Sequence, residues 1–251
     1  MTPLLRKLEA FGPLSGRDAA LIDEVGRQRR PVPAQTLLVA EADPAPGAFL
    51  IHAGWTVRYR LLADGRRQIL EVLLPGDIAV VHLPPHGPAD HSILTVTAAA
   101  VAPVAPERLM ALMREETPLG AALWSSAAWD RALLRERVVS IGRRSAYERT
   151  AHLLLELWHR LDMVGFADGN TFGFPLTQLI LADALGLSIV HVNRTLRRLQ
   201  EDGLVRQSAR SMTILDAAKL AAVAEFDEAR LRPLPPLRPA VPALADAGRL
   251  H

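Results

Sequence analysis

The chain has 251 residues, 49% hydrophobic and 22% charged, with 29 Lys or Arg against 27 Asp or Glu. That length and apolar content fit two globular domains with cores of their own and exclude an extended disordered chain. There is no Cys, which excludes disulfides, cysteine-held iron–sulfur clusters and thiol sensing.

Arg6, Lys7 and Glu9 interrupt any early apolar run, so no signal peptide is read. The apolar stretch 92–106 is too short for a membrane span and holds Pro103. A cytoplasmic protein with no membrane partner is expected. A formal net charge of +2 reveals no nucleic-acid partner, but between 188 and 210 five Arg stand against Glu201 and Asp202. Such a patch can contact phosphates.

Leu4, Leu5, Leu8 and Phe11 have helical spacing, Gly12 and Pro13 interrupt, and Ser15 can cap a second helix through Leu21, Ile22 and Val25. Residues 30–106 read as β structure. Short apolar strands over 35–40 and 49–52 flank a Pro- and Gly-containing turn. Over 55–62, Trp55, Val57, Tyr59 and Leu61 alternate with Thr56, Arg58 and Arg60. Asp64-Gly65 centres a hairpin turn, 68–74 returns, Pro75-Gly76-Asp77 turns again, and 92–100 is a further strand. Short strands at this spacing predict a sandwich or barrel. His82, His86 and His91 stand among Pro84, Pro85 and Pro88; their spacing matches no metal template, and the segment reads as an exposed loop.

A short helix is predicted over 107–113. Pro118 opens a long one over 119–141, in which Leu119, Ala122, Ser126, Trp129 and Leu133 form a narrow three-four stripe of coiled-coil type. Arg135, Arg137, Arg143 and Arg144 suit the negative end of that helix, and a hinge is expected near Gly142. Residues 147–161 form an amphipathic helix buried through Leu153, Leu154, Leu157 and Leu161; 164–173 read as a loop. Near the end, Asp216 caps a helix carrying Leu220, Val223 and Phe226, and the Pro-rich stretch 232–251 reads as a tail.

The most informative stretch is 174–204. Thr177 caps a helix, and Pro175 bars helix upstream. Leu181 and Leu185 lie on one face with Ala182 beside them. Gly186 supplies a tight turn, and Ser188 caps a second helix with the apolar stripe Val192, Leu196 and Leu199. Its other face carries His191, Asn193, Arg194, Arg197 and Arg198. A two-stranded wing follows over 204–206 and 211–215. One face suits a core and the other suits phosphates and base edges, which is the helix-turn-helix pattern.

These residues resemble the Crp/Fnr family of bacterial transcription regulators. The matching positions are Thr177-Gln178, Leu181-Ala182-Asp183, Leu185-Gly186-Leu187-Ser188, Val192, Arg194-Thr195-Leu196, Leu199 and Gly203-Leu204. Upstream, Phe49-Leu50-Ile51, Gly54, Asp64-Gly65-Arg66, Ile69-Leu70 and Pro75-Gly76-Asp77 look like the family's cyclic-nucleotide-binding roll. The resemblance covers nearly all of the chain except its Pro-rich end. It implies an α+β fold: a jelly-roll sensor domain over 1–117, a dimerisation helix over 118–142, a winged helix-turn-helix over 143–231, and the tail. It further implies a homodimer on an inverted repeat of double-stranded DNA, RNA polymerase as a partner, and a small-molecule effector of unknown identity; no cofactor or metal is implied. The stripe Leu119, Ala122, Ser126, Trp129 and Leu133 would be the dimer seam.

On the reading helix, 188–200, Asn193 would pair with adenine and Arg194 with guanine or phosphate. His191 could donate or accept, with Ile189 beside it. Thr177, Gln178 and Ser188 would hold phosphates, as would Arg197 and Arg198. Two departures limit what carries over. Cyclic-AMP-binding members place a Gly-Glu pair and then an Arg after the Pro-Gly-Asp turn, whereas 78–93 contains neither Glu nor Arg. A buried phosphate there would lack a cation, so cyclic AMP is not expected by the usual mechanism. Members reading the well-known half-site also carry Arg and Glu where Ile189 and Val190 stand here, so that site preference does not transfer. Two other classes remain: a jelly-roll metal-binding enzyme using the loop histidines, and a winged helix used only for protein contacts. No paired carboxylates with His at ligand spacing, and no nucleophile arrangement, support an enzyme.

Overall fold

The computed structural model describes residues 1–44, 47–81, 87–114 and 117–231. Thr2 caps α1 (Pro3–Glu9), and Ser15 forms a reciprocal capping box with Asp18 at the start of α2 (Gly16–Val25). The roll follows as β1 (Arg30–Val32), β2 (Leu37–Val39), β3 (Ala48–Ala53), β4 (Thr56–Leu61), β5 (Arg67–Leu73), β6 (Ile78–Val80), β7 (Ser92–Thr95) and β8 (Ala99–Val104). Two antiparallel sheets result, ordered β1-β8-β3-β6 and β2-β7-β4-β5. The expected single strand over 92–100 is two strands belonging to different sheets. A bend over Val96–Ala98 separates them, held where the Val96 and Thr97 amides donate to the Trp55 carbonyl.

The roll feeds two cores through β5, while β4 gives only its Val57 and Tyr59 face to one of them, its other face carrying Thr56, Arg58 and Arg60. Inside it, Phe49, Ile51, Leu73, Ala79, Ile93 and Val101 pack together. Outside it, Trp55, Val57, Tyr59, Ile69 and Val72 share a core with the C-terminal half of the chain. The alternation read over 55–62 fails at its end: Leu61 is exposed at the hairpin tip, after a bulge between Arg58 and Tyr59 shifts the register.

After α3 (Pro106–Arg114) comes α4 (Pro118–Arg143), capped by Thr117. The stripe expected to face a partner is turned inward. Leu119, Ala122, Trp129 and Leu133 pack with Leu4, Leu8 and Phe11 of α1 and its loop, and Ser126 is buried beside them. Trp129 meets the Phe11 ring edge-on with centroids 6.1 Å apart, and Lys7 Nζ lies 5.2 Å over it. This corrects the expected seam: a helix that must cover its own domain gives its largest apolar side chains to that surface first.

The C-terminal half begins with α5 (Ala146–Met163), opened by a Ser145–Glu148 capping box. The expected loop over 164–173 is a small hairpin, β9 (Ala167–Asp168) and β10 (Thr171–Gly173). It is too short for a period-2 signal and is fixed by pairing to a strand 40 residues later in sequence: Phe172 faces Met212. Next come α6 (Gln178–Leu185), α7 (Ile189–Glu201), β11 (Val205–Gln207) and β12 (Ser211–Ile214), so the wing is four-stranded, ordered β11-β12-β10-β9. Asp216 caps α8 (Ala217–Ala224), which carries Leu220 and Val223; Phe226 falls past its end and stacks on His159, not within the helix as expected. The short α9 (Glu228–Leu231) follows, and the stretch read as a tail, 232–251, lies outside the described residues. Among the described residues no single helix is long and apolar enough to cross a membrane.

The halves are joined by charge as well as by apolar contact. Lys7 Nζ lies 2.9 Å from Asp77 and 3.1 Å from Asp130. Arg160 bridges Asp77 (2.6 Å) and Glu156 (2.9 Å), and Arg137 pairs with Glu156 (2.9 Å) while donating to the Leu70 carbonyl (2.7 Å). Burial works against charge at Lys7, Asp77 and Glu156, but the opposite partners outweigh it there, raising Lys7 to about 12 and holding the two carboxyls below their ordinary range; at Asp130 burial prevails and pushes the carboxyl up. At the hairpin, Arg67 Nε pairs with Asp183 of α6 (2.7 Å) and Gln68 Nε2 donates to the Asp183 carbonyl (2.9 Å).

Candidate nucleic-acid interface

The chain turns by 97° between α6 and α7, within the angle that helix-turn-helix pairs adopt. Local chemistry sets both helix ends. Thr177 Oγ1 accepts from the Ile180 amide and Ser188 Oγ from the His191 amide, each at 3.2 Å. Gly186 sits at φ 60°, a left-handed conformation that closes α6 while Leu187 donates to the Ala182 carbonyl (3.0 Å). Of the two apolar residues at the start of α6, Ile180 is buried and Leu179 is exposed.

On α7, Val192, Thr195, Leu196 and Leu199 are buried against α5 and α6. The opposite surface brings together the predicted residues. Thr177, Gln178, Ser188, Ile189, Arg194, Arg197 and Arg198 are exposed, and His191 and Asn193 are half-buried at its edges. A straight outward line runs through Val190, Arg194 and Arg197, at spacings of four and three along the helix. Val190, which stands where family members reading the well-known half-site carry Glu and has no contact assigned to it from the sequence, is placed on this line by its helical spacing to Arg194. Arg198 stands apart from this line. Its guanidinium lies 4.5 Å over the Tyr147 ring and 3.8 Å from Asp202, so it braces α7 against α5 while its side chain stays 68% exposed. Burial, and the hydrogen bond to Asp202, push the Tyr147 hydroxyl up to about 12. Arg206 and Arg210 are exposed on the wing.

A second region bears on ligand binding. A cavity of about 320 Å³ opens between the roll and α4, walled by Arg58, Glu71, His91, Asp130, Arg137 and Arg160 among others. Three of its cations are already engaged: Arg58 with Glu71 (2.9 Å) and the Val80 carbonyl (3.1 Å), and Arg137 and Arg160 in the inter-domain ion pairs. His91, expected in an exposed loop, is buried, with Nδ1 2.5 Å from Asp90. His82 and His86 lie outside the described residues. Among the described residues no group of three His, Asp or Glu gathers as a metal site.

Comparison with known proteins agrees with this geometry. Residues 29–116 match the model of the cyclic nucleotide-binding domain, and residues 148–223 that of the Crp-like helix-turn-helix domain. Nitrogen fixation regulation protein FixK of Bradyrhizobium diazoefficiens is 31% identical over 185 residues, 74% of this chain and 77% of that protein. Transcriptional activatory protein AadR of Rhodopseudomonas palustris is 26% identical over 88% of this chain and 90% of its own. Among solved structures, FixK2 from Bradyrhizobium japonicum matches with a TM-score of 0.68 at 25% identity, over 78% of this chain and 96% of that one. A roll, a long helix and a winged helix in this order, with relatives that span most of both chains, lead to one conclusion: this chain belongs to the Crp/Fnr family of DNA-binding transcription regulators.

Proposed function

We propose that two copies of this chain pair along α4 and present two α7 helices to successive major grooves of an inverted-repeat operator. The observation that carries this is a second line on α4, apolar except for Arg131. Trp124, Ala127, Arg131, Leu134, Val138 and Ile141 recur at three-four spacing on its outward side, with Trp124 56% and Val138 66% exposed. An uncovered heptad line of this length suits a copy of itself. It replaces the inward stripe as the dimer seam. Two-fold pairing sets the half-sites about one helical turn apart.

Within each half-site, Asn193 pairs with adenine and Arg194 with guanine or a phosphate, while Thr177, Gln178, Ser188 and Arg197 hold the backbone. The sensor domain is 1–117, α4 is the dimer element, and 143–231 binds DNA. The protein acts by binding rather than catalysis, in the cytoplasm, with RNA polymerase as a further partner. Its effector is a small molecule other than cyclic AMP held in the usual way, because the cavity's buried cations are already paired within the chain. Among the described residues no observation favours the metal-enzyme reading.

The test is to select bound sequences from random duplexes with the full chain and measure gel-shift affinity. Asn193→Ala and Arg194→Ala should each abolish specific binding while leaving the chain folded and dimeric. Unchanged affinity in both would overturn the assignment.

A further inference from the structure

Val190 is 78% exposed, more than any other large apolar side chain among the described residues. It lies in the first turn of α7, two residues after the Ser188 cap, on the outward line with Arg194 and Arg197. Its side chain takes no part in capping, which Ser188 performs, and it faces away from the buried stripe Val192, Thr195, Leu196 and Leu199. Nor does it favour the helix, since a β-branched residue loses rotamer freedom there. Within the chain, then, Val190 contributes nothing to the core, the cap or helix propensity. Its position is nonetheless the part of a recognition helix that reaches base edges.

What such a side chain can meet is restricted. Among the groups by which base pairs are told apart in the major groove, the others are hydrogen-bond donors or acceptors and the one apolar feature that projects is the C5-methyl of thymine. Valine can neither donate nor accept, so it cannot select guanine, adenine or cytosine by hydrogen bonding. We propose that Val190 is a specificity-determining residue that reads a thymine methyl in each operator half-site. This rests on the DNA-reading role of α7 and adds the chemistry of one base position to it. Ile189, 42% exposed, borders the contact. Arg194, one turn further along the same line, fixes the register by its hydrogen bonds, so the thymine lies next to the base or phosphate that Arg194 holds.

The experiment uses the full chain and an operator obtained by selection from random duplexes. Each thymine is replaced by uracil, one position at a time in both half-sites. This removes only a methyl and keeps every hydrogen bond. One position per half-site should respond, with affinity falling about fourfold per methyl and about fifteenfold when both are replaced. In Val190→Ala, the thymine operator should bind as weakly as the uracil operator, because protein and DNA changes remove the same contact. Independent, multiplying losses would overturn the proposal, as would specific binding indifferent to uracil at every position. Failure to bind any duplex would overturn the DNA-reading role itself, a result distinct from either.

Discussion

The two helices that matter most, α4 and α7, differ in how many of their faces are apolar. On α7 the buried residues Val192, Thr195, Leu196 and Leu199 occupy one side, and the other side is polar apart from Ile189 and Val190. Its orientation could only be resolved one way. On α4, Leu119, Ala122, Trp129 and Leu133 face the domain while Trp124, Leu134, Val138 and Ile141 face out. Two apolar lines on one helix are both compatible with three-four spacing. Periodicity then identifies the helix without telling which line meets which partner.

Substitutions on the two lines of α4 should separate their roles. Trp129→Ala removes an aromatic packed on Phe11 and should cost about 3–5 kcal/mol in urea unfolding; a loss below 1 kcal/mol would return this stripe to the interface. A pH series probes the inward end of the same helix. Burial holds the His152 ring, 3.7 Å from Glu136 of α4, at a pKa of about 4, down from 6.5. The ring is neutral in both states above pH 6.5, so it adds no slope there. As pH falls from 6.5 to 4 the unfolded chain takes up a proton that the folded one refuses, and about 3 kcal/mol should be lost. His152→Gln should remove its share of that slope, leaving the contributions of His52, His91 and His159, which burial also shifts down, and the more acidic losses of Asp77 and Glu156.

On the outward line, Leu134→Glu with Val138→Glu should weaken self-association by 2 kcal/mol or more in sedimentation and leave unfolding of the monomer within about 0.5 kcal/mol. A variant that remains dimeric would exclude this face. On α7, Ser188→Ala should cost about 1 kcal/mol through loss of the cap, read as a lower melting temperature. The smallest effect is a gain. Gly142 has nothing within 4 Å of an added Cβ and lies in the last turn of α4, so Gly142→Ala should stabilise by about 0.5–1 kcal/mol.

What could be read from the sequence follows the range of the interactions. The helix-turn-helix is local: caps at Thr177 and Ser188, a glycine turn and a single apolar stripe, all within thirty residues. The capping boxes and the Asp64-Gly65 hairpin are local too. The ion-pair chain is not. Lys7 and Asp77, Asp77 and Arg160, or Arg137 and Glu156 meet only once α1, the roll, α4 and α5 are assembled, and each alone resembles a solvated surface charge. From the sequence alone Arg137 is indistinguishable from a helix-end charge, and His91 from a loop residue, for that reason. The β9–β10 hairpin depends on β12 in the same way.

The junction between the halves has a consequence for how the molecule can be taken apart. Only Arg144 and Ser145 separate α4 from α5. Arg144 is tied to Ser140 Oγ (2.6 Å) and Glu136 (3.1 Å), and Ser145 is engaged in its capping box. A protease needs a stretch of unfastened backbone to enter its cleft, and this joint offers none. Brief digestion should therefore not liberate an intact winged-helix fragment. The DNA-reading half should stay joined to α4 on gels until the two halves open.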